Sequence, residues 1–311
     1  MQIPASAEAS TTTTPAKAIT RTRRRFRLSY SLVSWLGLVP FLLFCLLFEL
    51  LPALIIIQDS FVSSDTGAFT LSNYQHLLAS ATYLHSFQNS ISLSVVTALV
   101  GATIGFFAAY GVYNSRANWL KNLLIGFSSI AANFAGVPLA FAFVSTLGVT
   151  GLVTVFLQNL FHFSIYDAGF SLYTFFGLVL AYTYFQLPLM VLLTVPALSA
   201  LKPEWREAAT NLGATDATYW RRVALPVLMP SLIAATMLLF ANSLGAFATA
   251  FALAQGNINL VTIQIAFAID GNVSVDPGLA NALAVGMFVV LLLAVTLYTA
   301  MLRRASRWQG R

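Results

Sequence analysis

Six long apolar runs, separated by short polar stretches, set the rhythm of this chain. A membrane-crossing helix needs about 20 largely apolar residues to span a hydrocarbon core of about 30 Å. The runs Trp35–Ile57, Asn89–Tyr113, Trp119–Leu147, Ser171–Leu198, Val227–Ala254 and Ala280–Leu302 reach that length, the third with an interruption. Gly151 to Phe163 is also apolar but spans only thirteen residues, too short to cross. Its spacing of Leu152, Val155, Phe156, Asn159, Leu160 and Phe163 predicts an amphipathic helix lying at the membrane interface. Gln58 to Gln88 is the longest polar connection, with room for a short extended piece and a surface helix. The expected fold is therefore an all-α polytopic membrane protein with six transmembrane helices. Residues 1–28 form a disordered basic tail, and 29–311 form one membrane domain.

Composition agrees: 58% of residues are hydrophobic and 8% charged, too apolar for a soluble globular domain. Charge adds an orientation. The sixteen basic residues fall in four places. Lys17, Arg21, Arg23, Arg24, Arg25 and Arg27 precede the first run, and Arg116 and Lys121 lie where run two gives way to run three. Lys202, Arg206, Arg221 and Arg222 lie between four and five, and Arg303, Arg304, Arg307 and Arg311 follow the sixth. With six crossings these places share one side, which the positive-inside rule makes cytoplasmic, together with both termini. The outer loops carry Asp59, Asp65, Asp167, Asp270 and Asp276 and the three histidines, His76, His85 and His162. The net charge of +6 is thus topological, and the Arg21–Arg27 stretch reads as an anchor to anionic lipid, with no nucleic-acid partner. Cys45 is the single cysteine and excludes an intrachain disulfide.

One cytoplasmic connection stands out, 202–226. It holds Glu207-Ala208-Ala209, three residues, Gly213, nine residues, then Val223-Ala224-Leu225-Pro226. Pro203 suits a first helical turn, Glu204 and Glu207 favour the positive end of the helix dipole, and Gly213 suits a left-handed cap. Thr215 or Asp216 would cap a second short helix to about Val223, with Pro226 turning the chain into run five. The spacing resembles the EAA loop of the membrane subunits of binding-protein-dependent, type I ABC importers. Phe87-Gln88-Asn89-Ser90, Asn133-Phe134-Ala135-Gly136-Val137-Pro138 and Gln186-Leu187-Pro188 also look familial. They are similar to the branch handling polyamines, aminophosphonates, ferric iron or thiamine.

The resemblance implies a five-helix core plus an N-terminal helix in a bacterial inner membrane. It implies coupling to ATPase subunits through Glu207, Ala208, Ala209, Gly213, Leu225 and Pro226. Its partners would be two ATPase subunits, a second permease (homologous or identical) and an outer solute-binding protein. No cofactor is expected on this chain, with ATP-Mg on the partner. The sequence has no Gly-Lys dipeptide and hence no phosphate-binding loop of the G-x-x-x-x-G-K-[ST] type, so it is not expected to be an enzyme. The implied solute is a polyamine such as spermidine or putrescine, with aminophosphonate, ferric iron or thiamine as alternatives.

Polar groups inside apolar runs mark candidate solute paths, because they are costly in lipid. Asn133, Tyr182, Tyr184, Gln186, Asn242 and Ser243 are such groups in runs three to five, where the resemblance sets the path; packing and interhelical hydrogen bonding is the competing role. Pro138, Pro188 and Pro196 are expected to kink or break their helices. Gly101 and Gly105 read as close helix packing, and Glu49 is the single carboxylate within a run. A secondary transporter would show ionisable groups at mid-membrane, and an intramembrane enzyme a nucleophile beside a histidine. Neither pattern is present, and a channel would leave the EAA spacing without a use.

Overall fold

The computed structural model of the chain describes residues 30–309 apart from 65, 255 and 271–274. The expected tail at 1–28, Asp65 and Arg311 lie outside the described residues. Two compact units divide the chain, residues 1–52 and 53–311. The first holds α1 (Tyr30–Cys45), a π-helical turn Leu46–Leu50 containing Glu49, and the start of α2 (Leu51–Asp59). In the π turn the Leu51 N–H reaches back five residues to the Leu46 carbonyl, one position before Pro52. A proline ring clashes with the carbonyl four residues earlier, and a widened turn relieves that clash.

The second unit is helical apart from one isolated antiparallel bridge, Val62 to Phe69, among the described residues. After α3 (Ser72–Ala79) comes α4 (Ala81–Asn114), which starts eight residues before the predicted Asn89. Its extra turns are held by Tyr83 and Phe87, which pack on Leu77, Leu279 and Leu283. The chain continues through α5 (Asn118–Asn133), α6 (Val137–Leu147), α7 (Leu152–Phe161) and α8 (Phe175–Ser199). Then follow α9 (Pro203–Asn211), α10 (Asp216–Tyr219), α11 (Leu225–Leu244), α12 (Ala248–Ala254), α13 (Val261–Asp270) and α14 (Pro277–Gln309). Among the described residues, six helical stretches are long and apolar enough to cross a membrane.

Helix α8 is the axis of this unit. It is apolar on every face, as a helix surrounded by others must be. Towards its start, Leu178, Ala181, Tyr182 and Phe185 pack with Leu139 and Ala140 of α6 and with Ala250, Leu253 and Ala254 of α12. Midway, Met190 meets Ala98, Leu239 and Phe240. At its far end Val191, Val195 and Leu198 pack with Ala109, Val112, Tyr219 and Leu228. This far end is the basic end of the bundle, carrying Arg116, Lys121 and the 202–222 connection. The approach of α4 to α8 depends on glycine: a Cβ on Gly105 would lie 2.6 Å from the Met190 Cβ, and one on Gly101 3.0 Å from the Gln186 Cβ. Small residues that let backbones approach are the usual means of helix association in lipid.

Of the expected kinking or breaking, breaking does not occur at Pro188 and Pro196, which lie within α8. The interruption expected in the third run is a full break between two helices, α5 and α6, which together track α8 from its basic end to its start. They are separated at Phe134–Gly136, where Gly136 takes φ +78° and Pro138 falls in the first turn of α6, so its missing N–H costs nothing. By length and composition the qualifying third stretch is instead Val137–Phe161, but it folds sharply at Gly148–Gly151. There a Cβ on Gly151 would sit 2.6 Å from the Thr146 carbonyl. The predicted fifth run likewise divides, into α11 and α12, at Gly245–Phe247.

Candidate functional site

Two features of the second unit hold the residues singled out in the sequence: a helical hairpin at the basic end and a cavity midway along the bundle. The hairpin begins at Pro203, in the first turn of α9, with Glu204 beside it favouring the helix dipole. It ends in a Schellman motif. Gly213 takes φ +76°, its N–H donates to the Thr210 carbonyl at 2.9 Å, and the Ala214 N–H donates to the Ala209 carbonyl at 2.9 Å. Thr215 caps α10, its Oγ1 accepting the Thr218 N–H at 3.3 Å. Arg206 Nη2 and Asp216 Oδ1, 2.9 Å apart, tie the two arms together. Both are exposed, so water screens the pair and it adds little to stability.

The hairpin presents Glu207 and Ala208 to the outside, while Ala209 is half-buried against the basic-end core. Leu212 at the tip is 87% exposed, an apolar knob that nothing among the described residues covers. Pro226 does not turn the chain, contrary to the sequence expectation. Helix α10 passes through a π turn, Trp220–Ala224, directly into α11. The Leu225 N–H reaches the Trp220 carbonyl, and Pro226 follows, the same arrangement as at Leu51-Pro52. Leu225 is exposed on this rod. The helical stretch Asp216–Leu244 has 29 residues and is about 43 Å long at about 1.5 Å per residue. It therefore joins the hairpin to the middle of the bundle as one element.

At the other end of that rod is a cavity of about 400 Å³. It lies between the two helix breaks, with Ala135 and Gly136 on one wall and Asn242, Gly245 and Phe247 on the other. Thr249 joins the walls: its Oγ1 accepts the Gly136 N–H at 2.8 Å. Of the residues expected to line a path, Asn242 does so here. Tyr182 is buried and donates its hydroxyl to the Ala246 carbonyl at 2.5 Å, holding the second break open. Gln186 and Ser243 are buried in a relay at the α4–α8–α11 crossing. Gln186 Nε2 donates to Thr97 Oγ1 at 2.9 Å, and Thr97 and Ser243 hydroxyls are 3.0 Å apart. Tyr184 faces outward and meets Phe143 edge-on, and the Asn133 amide folds back on the Ser129 carbonyl at 2.8 Å. Sequence reading missed Thr249, Gly136 and Thr97. The available signal was Gly245-Ala246-Phe247 after Asn242-Ser243, a glycine inside an apolar helical pattern.

Residues 101–307 match the family described as the binding-protein-dependent transport system inner membrane component. Among curated proteins, the chain is 30% identical over 257 residues to the probable ABC transporter permease protein y4fN of Sinorhizobium fredii, covering 80% of this chain and 42% of that one. It is 43% identical over 86 residues to the sulfate transport system permease protein CysT of Salmonella typhimurium, covering 28% and 31%. Over 259 residues it is 26% identical to the spermidine/putrescine transport system permease protein PotB of Haemophilus influenzae, covering 81% and 87%. The chain thus matches less than half of the length of the first two relatives and most of the third. In fold it resembles a bacterial ABC transporter involved in the import of the acidic polysaccharide alginate, with TM-score 0.69 and 17% identity over 88% of this chain and 95% of that one.

Proposed function

Because the chain belongs to the family of binding-protein-dependent transport system inner membrane components, we propose that it is the permease subunit of an ATP-driven importer in a bacterial inner membrane. The observation that carries this reading is the hairpin at Pro203–Tyr219, a capped peg whose exposed face is Glu207, Ala208 and Leu212. An ATPase subunit would receive that peg, with Gly213 setting its turn. Leu225 and Pro226 would seat its base on the rod of α11. ATP-Mg would be bound and hydrolysed on two such partner subunits, and this chain would carry out no catalysis. Both termini and the peg would face the cytoplasm, as the four basic places support.

The solute would arrive from an outer binding protein and pass the mid-bundle cavity. Asn133, Tyr184 and Asn242 are exposed along the middle of their spans, and two helix breaks lie beside them. Broken backbone and amide side chains are tolerated at membrane depth only against protein or a water-filled path. A second permease, homologous or identical, would therefore cover this face and complete the path. Movement of the peg would be transmitted along Asp216–Leu244 to Asn242, while Tyr182, Gln186 and Ser243 would hold the frame against which α11 moves.

For the solute we propose a polyamine of spermidine or putrescine type. Similarity to a spermidine/putrescine permease along most of both chains supports this, whereas the sulfate permease is matched over 86 residues only. The cavity wall has no charged side chain, so selection would rest with the binding protein. Vesicles containing the assembled importer should take up labelled spermidine only with ATP and binding protein. Uptake of sulfate, an aminophosphonate, ferric iron or thiamine in its place would reassign the solute. Uptake that continues without ATP would assign a carrier or channel.

A further inference from the structure

A groove of about 450 Å³ lies at the basic end, between the last turns of α4 and the base of α11. Phe106, Phe107, Trp220 and Leu225 form its apolar walls, and Arg221 stands in its lining. Trp220 is locked edge-on against Tyr110, with ring centroids 5.1 Å apart, and against Phe106 at 6.5 Å. The groove is thus built from rigid aromatic surfaces, with Phe107 at 65% exposure on its outer side. The π turn at Trp220–Ala224 puts Trp220 and Arg221 together in its lining.

Two groups in this lining have no acceptor among the described residues. Arg221 makes no ion pair or hydrogen bond, in contrast to Arg206, and the Trp220 indole N–H has no partner. Depth supplies the next constraint. Helix α4 ends at Asn114, so Phe106 to Tyr110 lie within its last few turns, where a crossing helix meets the headgroup layer. Trp and Tyr are favoured at that level. The only charged group in the groove is a cation, and the same end carries Arg116, Lys121, Lys202, Arg206 and Arg222. Apolar walls below an unpaired guanidinium match an acyl chain below a phosphate.

We propose that this groove binds an anionic phospholipid, with one acyl chain against Phe106, Phe107, Trp220 and Leu225 and the headgroup phosphate on Arg221. The bound lipid would brace the root of the coupling hairpin, since the groove wall and the start of the α10–α11 rod are the same residues. This site is independent of which solute is carried.

The test uses the full chain, purified in the complex it forms, delipidated in detergent and titrated with phosphatidylglycerol or phosphatidylcholine under native mass spectrometry. The wild type should retain phosphatidylglycerol about fivefold more tightly, the weight of one basic residue at an anionic surface. Arg221→Gln should remove that preference, Arg221→Lys should keep it, and Arg116→Gln, at the same end but outside the groove, should leave it unchanged. Phe107→Asp, which sets a carboxylate at the mouth, should abolish retention without touching Arg221. Brominated phosphatidylglycerol should quench a fluorescence component that Trp220→Phe removes. Equal retention of the two lipids by the wild type, an undiminished preference in Arg221→Gln, or a protein segment cross-linked in the groove would overturn the proposal.

Discussion

Gly213 and Gly105 are both glycines for reasons of geometry, but different ones, and their substitutions should behave differently. At Gly213 a Cβ would meet nothing within 4 Å, and the whole cost lies in φ +76°. A side chain in that left-handed region costs about 1–2 kcal/mol. Gly213→Ala should therefore loosen the hairpin end alone: hydrogen exchange at the Ala214 amide should quicken by about five- to thirtyfold, the equivalent of that energy, with little change in Tm. At Gly105 the backbone is ordinary helix and the obstacle is Met190, 2.6 Å from the added Cβ. Gly105→Ala should cost about 1–3 kcal/mol by overpacking, read as a lowered Tm in detergent. Gly126→Ala, in helix α5 with open space around it, is the control and should hold or slightly raise Tm, since alanine favours a helix over glycine by up to about 1 kcal/mol.

At the scale of elements, the helix breaks meet at Thr249. Its Oγ1 accepts the Gly136 N–H at 2.8 Å and donates to the Gly136 carbonyl at 3.3 Å, beside the apolar packing of α6 on α12, and Thr249 is 2% exposed. Thr249→Val keeps the shape but leaves the Gly136 N–H unpaired, at a cost of about 1–3 kcal/mol. Tm and ATP-dependent uptake should both fall, and Thr249→Ser should restore both. Much at this scale was legible in the sequence. Pro203, Gly213 and Thr215 announce the hairpin because each acts on backbone within a few positions: Pro203 and Gly213 through their own φ, Thr215 through its hydroxyl on the Thr218 N–H. The breaks were less legible, since whether Gly245 ends a helix is decided by Tyr182 donating to the Ala246 carbonyl from 64 residues away. The same distance hid Gln186 and Ser243. Sequence marks them as costly polar groups, but only the meeting of α4, α8 and α11 gives both of them Thr97 as a partner. Pro226 misled for a local reason: in place of a turn, a π turn absorbs its ring and the helix runs on.

On the scale of the whole molecule, the unit leaves two kinds of surface incomplete. One is the cavity face with Asn133 and Asn242, which a bilayer would not tolerate bare. The other is the hairpin at the basic end, where Glu207 and Leu212 are exposed among the described residues. Docking of that hairpin on an ATPase is the central claim, and one measurement tests it directly. The chain is extracted gently from its native membrane, and all retained proteins are identified by mass spectrometry, for the wild type and for Glu207→Arg. Because Glu207 is exposed and its side chain makes no hydrogen bond or ion pair among the described residues, the variant should keep the wild-type Tm. The account predicts an ATPase subunit with the wild type, reduced at least about tenfold in the variant, the loss expected when a charge at a docking surface is reversed. An ATPase retained equally by both would contradict the role given to the hairpin. Wild-type chain that retains no ATPase, yet still moves solute, would contradict the importer reading itself.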